Sequence, residues 1–303
     1  MADTEFASRY DIIMPVEPVA DLPVVRTITP RDLRVALHKG FDDFWAMPTH
    51  VIFLSLIYPI IGLLLAFATL NYNLLPILYP LAAGFALLGP VAALGLYELS
   101  RRRELGRDTT WVHAFDVIHS PSLPAIGALG MLLLLLFVVW VTAADQIYTA
   151  FFGAFAPATW SAFTDNVLST DAGHKLIVVG NLTGLGFAIA ALMLSVVSFP
   201  LLLDRHVSVS TAILTSVRAV LHNPLTMCLW GLIVAVSLFV GALPALLGLA
   251  IVFPILGHAS WHLYRAVVVP DNGPRPDYHP RDKGHRSAAD FPVSLFIRNK
   301  SGQ

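Results

Sequence analysis

Charge is what this sequence has least of. Only 13% of its 303 residues are Asp, Glu, Lys or Arg, against 56% hydrophobic, at a mean hydropathy of +0.70. A soluble domain carries about a quarter charged residues, so roughly half of the expected surface charge is missing. No charged residue at all occurs over residues 44–97, 117–144, 176–203 and 219–264, together about half of the chain. Such a composition excludes a soluble globular enzyme and a disordered protein. The net charge of −1 supplies no basic field for polyanions, which excludes a nucleic-acid binder. A single cysteine, Cys228, excludes an internal disulfide and an all-cysteine metal cluster, and it reads as a small apolar residue. A basic start with a short apolar core behind it is also lacking. The chain opens Met-Ala-Asp-Thr-Glu and its first apolar run begins near residue 50, so no cleaved signal peptide is expected. Neither a glycine-rich phosphate loop after a strand nor a Gly-x-Ser-x-Gly elbow is present.

What is present is apolar helix. Crossing about 30 Å of hydrocarbon takes about 20 helical residues. The charge-free runs therefore divide into six spans: His50–Leu70, Pro76–Leu99, Leu123–Ala144, Leu176–Leu203, Pro224–Leu243 and Pro244–Val268. Turn formers at Asn71–Asn73 with Pro76, and at Gly241–Pro244, make the two divisions inside the longer runs. Barrel strands would alternate apolar and polar residues, which these runs do not. Lys175 is the one cationic residue of 19 on the outer face, so the positive-inside rule puts both termini in the cytoplasm. Arg101, Arg102 and Arg103, directly at a helix end, are the topology anchors; pairing with anionic headgroups is the other use open to them. Residues 1–30 read as an extended cytoplasmic arm and 270–303 as a flexible cytoplasmic tail. The outer loop 145–175 carries Phe151, Phe152, Phe155, Trp160 and Phe163, which suits an interfacial helix, with a lid over a site as the alternative.

Residues 31–268 look like one hairpin unit repeated three times. Each unit opens with an amphipathic cytoplasmic stretch ending in a proline: Leu33–Pro48, Trp111–Pro121 and Thr211–Pro224. Each returning helix has a proline near its inner end, Pro90, Pro200 or Pro254, and a kink is expected there. Small residues let helices approach closely where lipid supplies little hydrophobic drive. Gly84 and Gly89 on the second span, and Gly180 and Gly184 on the fourth, are the packing candidates, within one chain or across a dimer.

Ionisable groups inside a membrane are the first place to look for function, and the middle of these spans has almost none. The polar residues gather at the inner ends. Four residues beyond the inner prolines stand Leu94, Asp204 and His258; eight beyond stand Glu98, Ser208 and His262. A spacing of four keeps residues on one helix face, so Glu98, Asp204, His258 and His262 form the candidate inner-mouth cluster. His258 and His262 could ligate a metal or haem, although the glutamate of a zincin helix is lacking. The simpler reading is an interfacial helix end, with Arg265 reaching water. The sequon-like Asn181-Leu-Thr lies inside a span and reads as chance.

Three stretches carry a family resemblance: Tyr79–Arg101 (YPLAAGFALLGPVAALGLYELSR), Ser198–Arg205 (SFPLLLDR) and Leu256–Arg265 (LGHASWHLYR). Together they resemble the bacterial integral membrane proteins of the domain of unknown function 2189 family, over roughly residues 23–268. The resemblance implies a multi-pass protein of the bacterial inner membrane and brings no activity with it. Some members carry a label relating them to cytochrome c oxidase subunit I. The histidine placement here does not support that label, because a haem–copper subunit needs several mid-membrane histidines. The fold class expected is all-α, six transmembrane helices as three hairpins. The functional expectation is a non-enzymatic scaffold, assembly or regulatory factor for a membrane complex. The alternatives are a transporter or channel for a small solute, and a haem- or metal-binding protein. No cofactor is expected; the partners expected are the bilayer and another membrane complex or a second copy.

Overall fold

The computed structural model describes residues 22–47, 75–153 and 159–270, with residues 60, 62, 63, 67 and 157 besides. Almost all of the expected span His50–Leu70, the turn after it, residues 1–21 of the arm and the tail 271–303 lie outside the described residues. The described elements are α1 (Pro30–Ala46), α2 (Leu75–Leu87), α3 (Gly89–Ala92), α4 (Leu94–Glu104), a 3₁₀ helix (Trp111–His119), α5 (Leu123–Phe152), α6 (Trp160–Ser169), α7 (Asp171–Ser195), α8 (Ser198–Asp204), α9 (Val209–His222), α10 (Pro224–Ala242) and α11 (Leu249–Val267). Among the described residues there is no strand, only an isolated antiparallel bridge between Val25 and Val268. Leu123–Phe152, Asp171–Asp204 and Pro224–Ala242 are long and apolar enough to cross a membrane.

Helix starts follow local chemistry. The Thr29 amide donates to the Asp32 carboxylate at 2.7 Å ahead of Pro30, which opens α1. Thr170 and Ser208 accept from the first-turn amides of α7 and α9, and Pro224 starts α10. Two returning helices break where a kink is expected. The stretch 75–104 is interrupted at Leu88 and again at Ala93, and Asp171–Asp204 at Val196–Val197. Pro90 lies between the first two breaks and Pro200 in the first turns after the third; proline has no N–H for the carbonyl four residues earlier. At the third break α9 supplies partners. The Val197 amide donates to Ser216 Oγ at 3.2 Å, and Ser198 Oγ donates to the Ala212 carbonyl at 3.1 Å. Pro254 lies inside α11 without interrupting it.

Other boundaries shift for identifiable reasons. The sixth apolar run becomes helical at Leu249 rather than at Pro244, because Ala245 and Leu246 take φ of 51° and 68° and turn the chain. α5 runs on to Phe152, so much of the expected outer loop is helix, with α6 standing where an interfacial helix is expected. Tyr148 stacks on Phe152 at 5.3 Å, and Phe163 lies 6.4 Å from Tyr148 and 6.1 Å from Trp160.

Burial is uneven. The long apolar helices leave Met131, Leu135, Leu182, Leu185, Leu232 and Phe239 exposed, the kind of surface that lipid covers. Between α2, α5 and α7 the contacts are close. A Cβ on Gly84 would lie 2.8 Å from Cδ1 of Trp140, and one on Gly184 would lie 3.0 Å from its Cη2. The indole sits between these two glycines and donates to the Pro80 carbonyl at 2.8 Å. A Cβ on Gly89 would meet Phe253 only at an ordinary 3.7 Å, and one on Gly180 would meet open space.

The densest packing is at the end of the molecule where α4, α8, α9 and the second half of α11 meet. Leu99, Phe199, Leu201, Leu202, Trp261, Leu263 and Tyr264 are fully buried there. α1 lies against α11 with Leu33, Ala36, Gly40, Asp43 and Phe44 on its buried arc. A Cβ on Gly40 would fall 2.6 Å from the Ala259 backbone nitrogen, so only glycine permits this crossing. Residues 22–29 run extended across the same end. Arg26 N donates to Val267 O, and Val269 N to Val24 O. Asn223 accepts from the Ile28 amide at 2.7 Å and donates to the Arg26 carbonyl at 3.0 Å.

Candidate functional site

The polar side chains of that end form a layer centred on α11, buried at its middle and open at its edge, whose residues 258, 261, 262 and 265 follow helical spacings of three and four. Asp43 of α1 is the acceptor at its middle. Its Oδ2 takes the hydroxyl of Ser100 (α4) at 2.5 Å and Nε2 of His262 at 2.8 Å, while Arg103 (α4) pairs with Oδ1. Ser100 Oγ also lies 2.7 Å from Nδ1 of His258. A hydroxyl has one proton, and Ser100 gives it to Asp43. His258 must therefore donate from Nδ1 to the serine oxygen. His258 and Ser100 are 0% and 1% exposed. Burial opposes ionisation of Asp43, yet the hydrogen bonds from His262 and Ser100 and the field of the two histidines outweigh it, holding the carboxyl at about 2.

A second arrangement flanks the first. Glu104 (α4) accepts from Trp261 Nε1 at 3.1 Å and from Arg265 Nε at 3.0 Å. Arg265 stands 3.6 Å from Asp204, and Asp204 accepts the Tyr264 hydroxyl at 2.6 Å. The neighbouring Arg205 donates to the Val269 carbonyl at 2.6 Å. Glu98 and Arg101 make a third arrangement, an ion pair at 2.9 Å with both side chains nearly inaccessible.

The four residues expected to meet at an inner mouth are thus distributed over three sets. His262 bonds Asp43, and His258 reaches the same carboxylate through Ser100; Asp204 meets Tyr264 and Arg265; Glu98 pairs with Arg101. The three consecutive arginines, expected as topology anchors, each have a carboxylate partner within the chain: Glu98 for Arg101, Asp116 for Arg102 at 3.0 Å, and Asp43 for Arg103. The residues missed from sequence are Asp43, Ser100 and Glu104. Asp43 had a readable signal, an acidic residue on the otherwise apolar arc of an amphipathic helix.

Two chemistries can be weighed on this geometry. Ser100, His258 and Asp43 are the residue types of a hydrolase triad, but in a triad the imidazole stands between hydroxyl and carboxylate. Here the hydroxyl stands between, its proton passes directly to the carboxylate, and it is closed to solvent. For metal or haem, one nitrogen of each histidine is already engaged, on Ser100 and on Asp43. Among the described residues no group of three or more His, Cys, Asp or Glu side chains is placed to hold a metal ion.

The described residues are nearly all helical and include three apolar helices of membrane length, as in an integral membrane protein. Residues 78–204 match the model of the family described as "Predicted integral membrane protein (DUF2189)", a segment that holds Tyr79–Arg101 and all of Ser198–Arg205 but its last residue. The third stretch, Leu256–Arg265, lies beyond the matched residues. No curated protein and no solved structure matches the chain.

Proposed function

We propose that this protein is a six-span protein of the bacterial inner membrane, both termini cytoplasmic, and a non-enzymatic scaffold, assembly or regulatory factor for another membrane complex. The observation that carries the reading is how the polar residues are used. Asp43, Ser100, His258, His262, Glu104, Asp204 and Arg265 are engaged with one another, in contacts that fix helices against each other. A carrier needs polar side chains directed at a solute near mid-membrane. The skewed distribution of Lys and Arg supports the orientation, because 18 of 19 fall on one side of the six-span scheme. In-cell crosslinking followed by purification in mild detergent tests the role. A reproducible membrane-protein partner is the expected result; recovery of the chain alone in repeated preparations would count against it.

A second reading, transport of a small solute, draws on the interruptions at Leu88, Ala93 and Val196–Val197, since broken helices form many transporter sites. Solute flux into vesicles reconstituted with the purified chain would favour it over the first.

A further inference from the structure

The segment between α4 and α5 is a 3₁₀ helix of nine residues, Trp111–His119. Such runs seldom exceed three or four residues. Its sequence, WVHAFDVIH, explains the exception by repeating every three residues, the period of a 3₁₀ helix. Positions 114 and 117 (Ala, Val) are buried against the protein. Positions 113, 116 and 119 (His, Asp, His) make a polar face, on which Asp116 holds Arg102 at 3.0 Å and His113 at 2.7 Å. Positions 112, 115 and 118 (Val, Phe, Ile) make a straight apolar stripe, 51%, 51% and 60% exposed. An α-helical winding would wrap that stripe around the cylinder and mix it with the polar face.

One face of this helix is buried on the protein, the polar face is partly covered by its contact with Arg102, and the apolar face is left exposed. We propose that Trp111–His119 is an in-plane membrane anchor whose Val112, Phe115 and Ile118 stripe lies in the boundary between headgroups and acyl chains. What points to lipid, rather than to another protein, is continuity. Two turn residues after Ser120 the chain enters α5, the longest apolar helix among the described residues, which begins with exposed Leu123 and presents exposed Leu135 further along. The stripe ends at Ile118, a few residues along the chain from Leu123, where the exposed apolar surface of α5 begins. Trp111, packed edge-on against Phe115 at 6.2 Å, is the amphipathic ring that such a boundary selects. The Arg102–Asp116 pair ties the polar face of the segment to α4, with the stripe on a different face.

The inference rests on α5 spanning the bilayer, and the test separates the two. The full-length protein carrying Cys228→Ser would receive one spin label at a time, through Phe115→Cys, Ile118→Cys, His119→Cys or Leu135→Cys. Each form would be reconstituted into vesicles of phosphatidylcholine and phosphatidylglycerol and exposed to oxygen and to a water-soluble nickel chelate. The ratio of oxygen to nickel collisions is expected above one at Phe115 and Ile118 and below one at His119. It should be highest at Leu135, giving Phe115 a shallower depth. Nickel access at Phe115 equal to that at His119, with Leu135 still in lipid, would overturn the anchor alone. So would a label at Phe115 reached by neither reagent, which would place the stripe against protein. A label at Leu135 open to nickel would remove the span and the anchor together.

Discussion

The Asp43 carboxylate accepts from His262 Nε2 at 2.8 Å across 219 residues of chain, and the same carboxylate takes the Ser100 hydroxyl. One oxygen of one residue thereby joins α1, α4 and α11.

That oxygen should be felt in acid. The folded-state carboxyl sits at about 2 instead of its ordinary 3.8. Its contribution is therefore fully present above pH 4 and is lost as pH falls through the folded value, a stake of about 2 kcal/mol. Detergent-solubilised protein should lose thermal stability between those pH values, and Asp43→Asn should flatten that part of the profile. A profile identical in wild type and variant would count against the assignment.

Gly40→Ala should loosen α1. Its new Cβ would lie 2.6 Å from Ala259 N and 2.7 Å from Ala259 Cβ, so the helices must part. Overpacking of this kind costs about 1–3 kcal/mol. Limited proteolysis should cut near α1 sooner than in the wild type, while the sites in α5 and α7 stay protected.

Trp140→Phe should weaken the meeting of α2, α5 and α7. The smaller ring leaves the Pro80 carbonyl without its indole donor and a gap between Gly84 and Gly184. A loss of about 1–2 kcal/mol is expected in a dodecyl sulfate unfolding titration, most of it from the hydrogen bond and lost contact.

Asn223→Ala should release the extended segment 22–29. Two backbone groups, Ile28 N–H and Arg26 C=O, lose partners at 2.7 and 3.0 Å. Each such bond contributes about 1 kcal/mol. Amide exchange at Ile28 should speed up while exchange within α10 is unchanged.

The orientation can be read by chemical access. In a Cys228→Ser background, Asp165→Cys should react with an impermeant maleimide added to intact cells, and Arg107→Cys only after the membrane is opened. The reverse pattern would invert the topology.

Sequence patterns located α5, α7, α10 and most of α11, because absence of charge over membrane length leaves a helix few alternatives. They also located the breaks ahead of Pro90 and Pro200, since a missing N–H is local chemistry. The polar layer was less legible. Overlaying the inner prolines treats the hairpins as equivalent and brings His258 and His262 toward Glu98 and Asp204. The structure instead gives His262 to Asp43, and His258 to the Ser100 hydroxyl that Asp43 accepts, because Gly40 lets α1 lie directly on α11 at Ala259. That crossing depends on a residue with no side chain, which no charge or hydropathy pattern marks. The strict three-residue repeat of 111–119 stood in the sequence too, but it has meaning only once a 3₁₀ winding is in place.

The seating of α1 on α11 also orders biosynthesis. While the ribosome is still making the middle of the protein, α1 has already been synthesised and its Asp43 has neither histidine to meet. The layer can close only when Trp261 and its neighbours emerge, so insertion of the apolar helices precedes locking of this end. Until then α1 has no α11 to pack on, and Gly40 no Ala259 to meet.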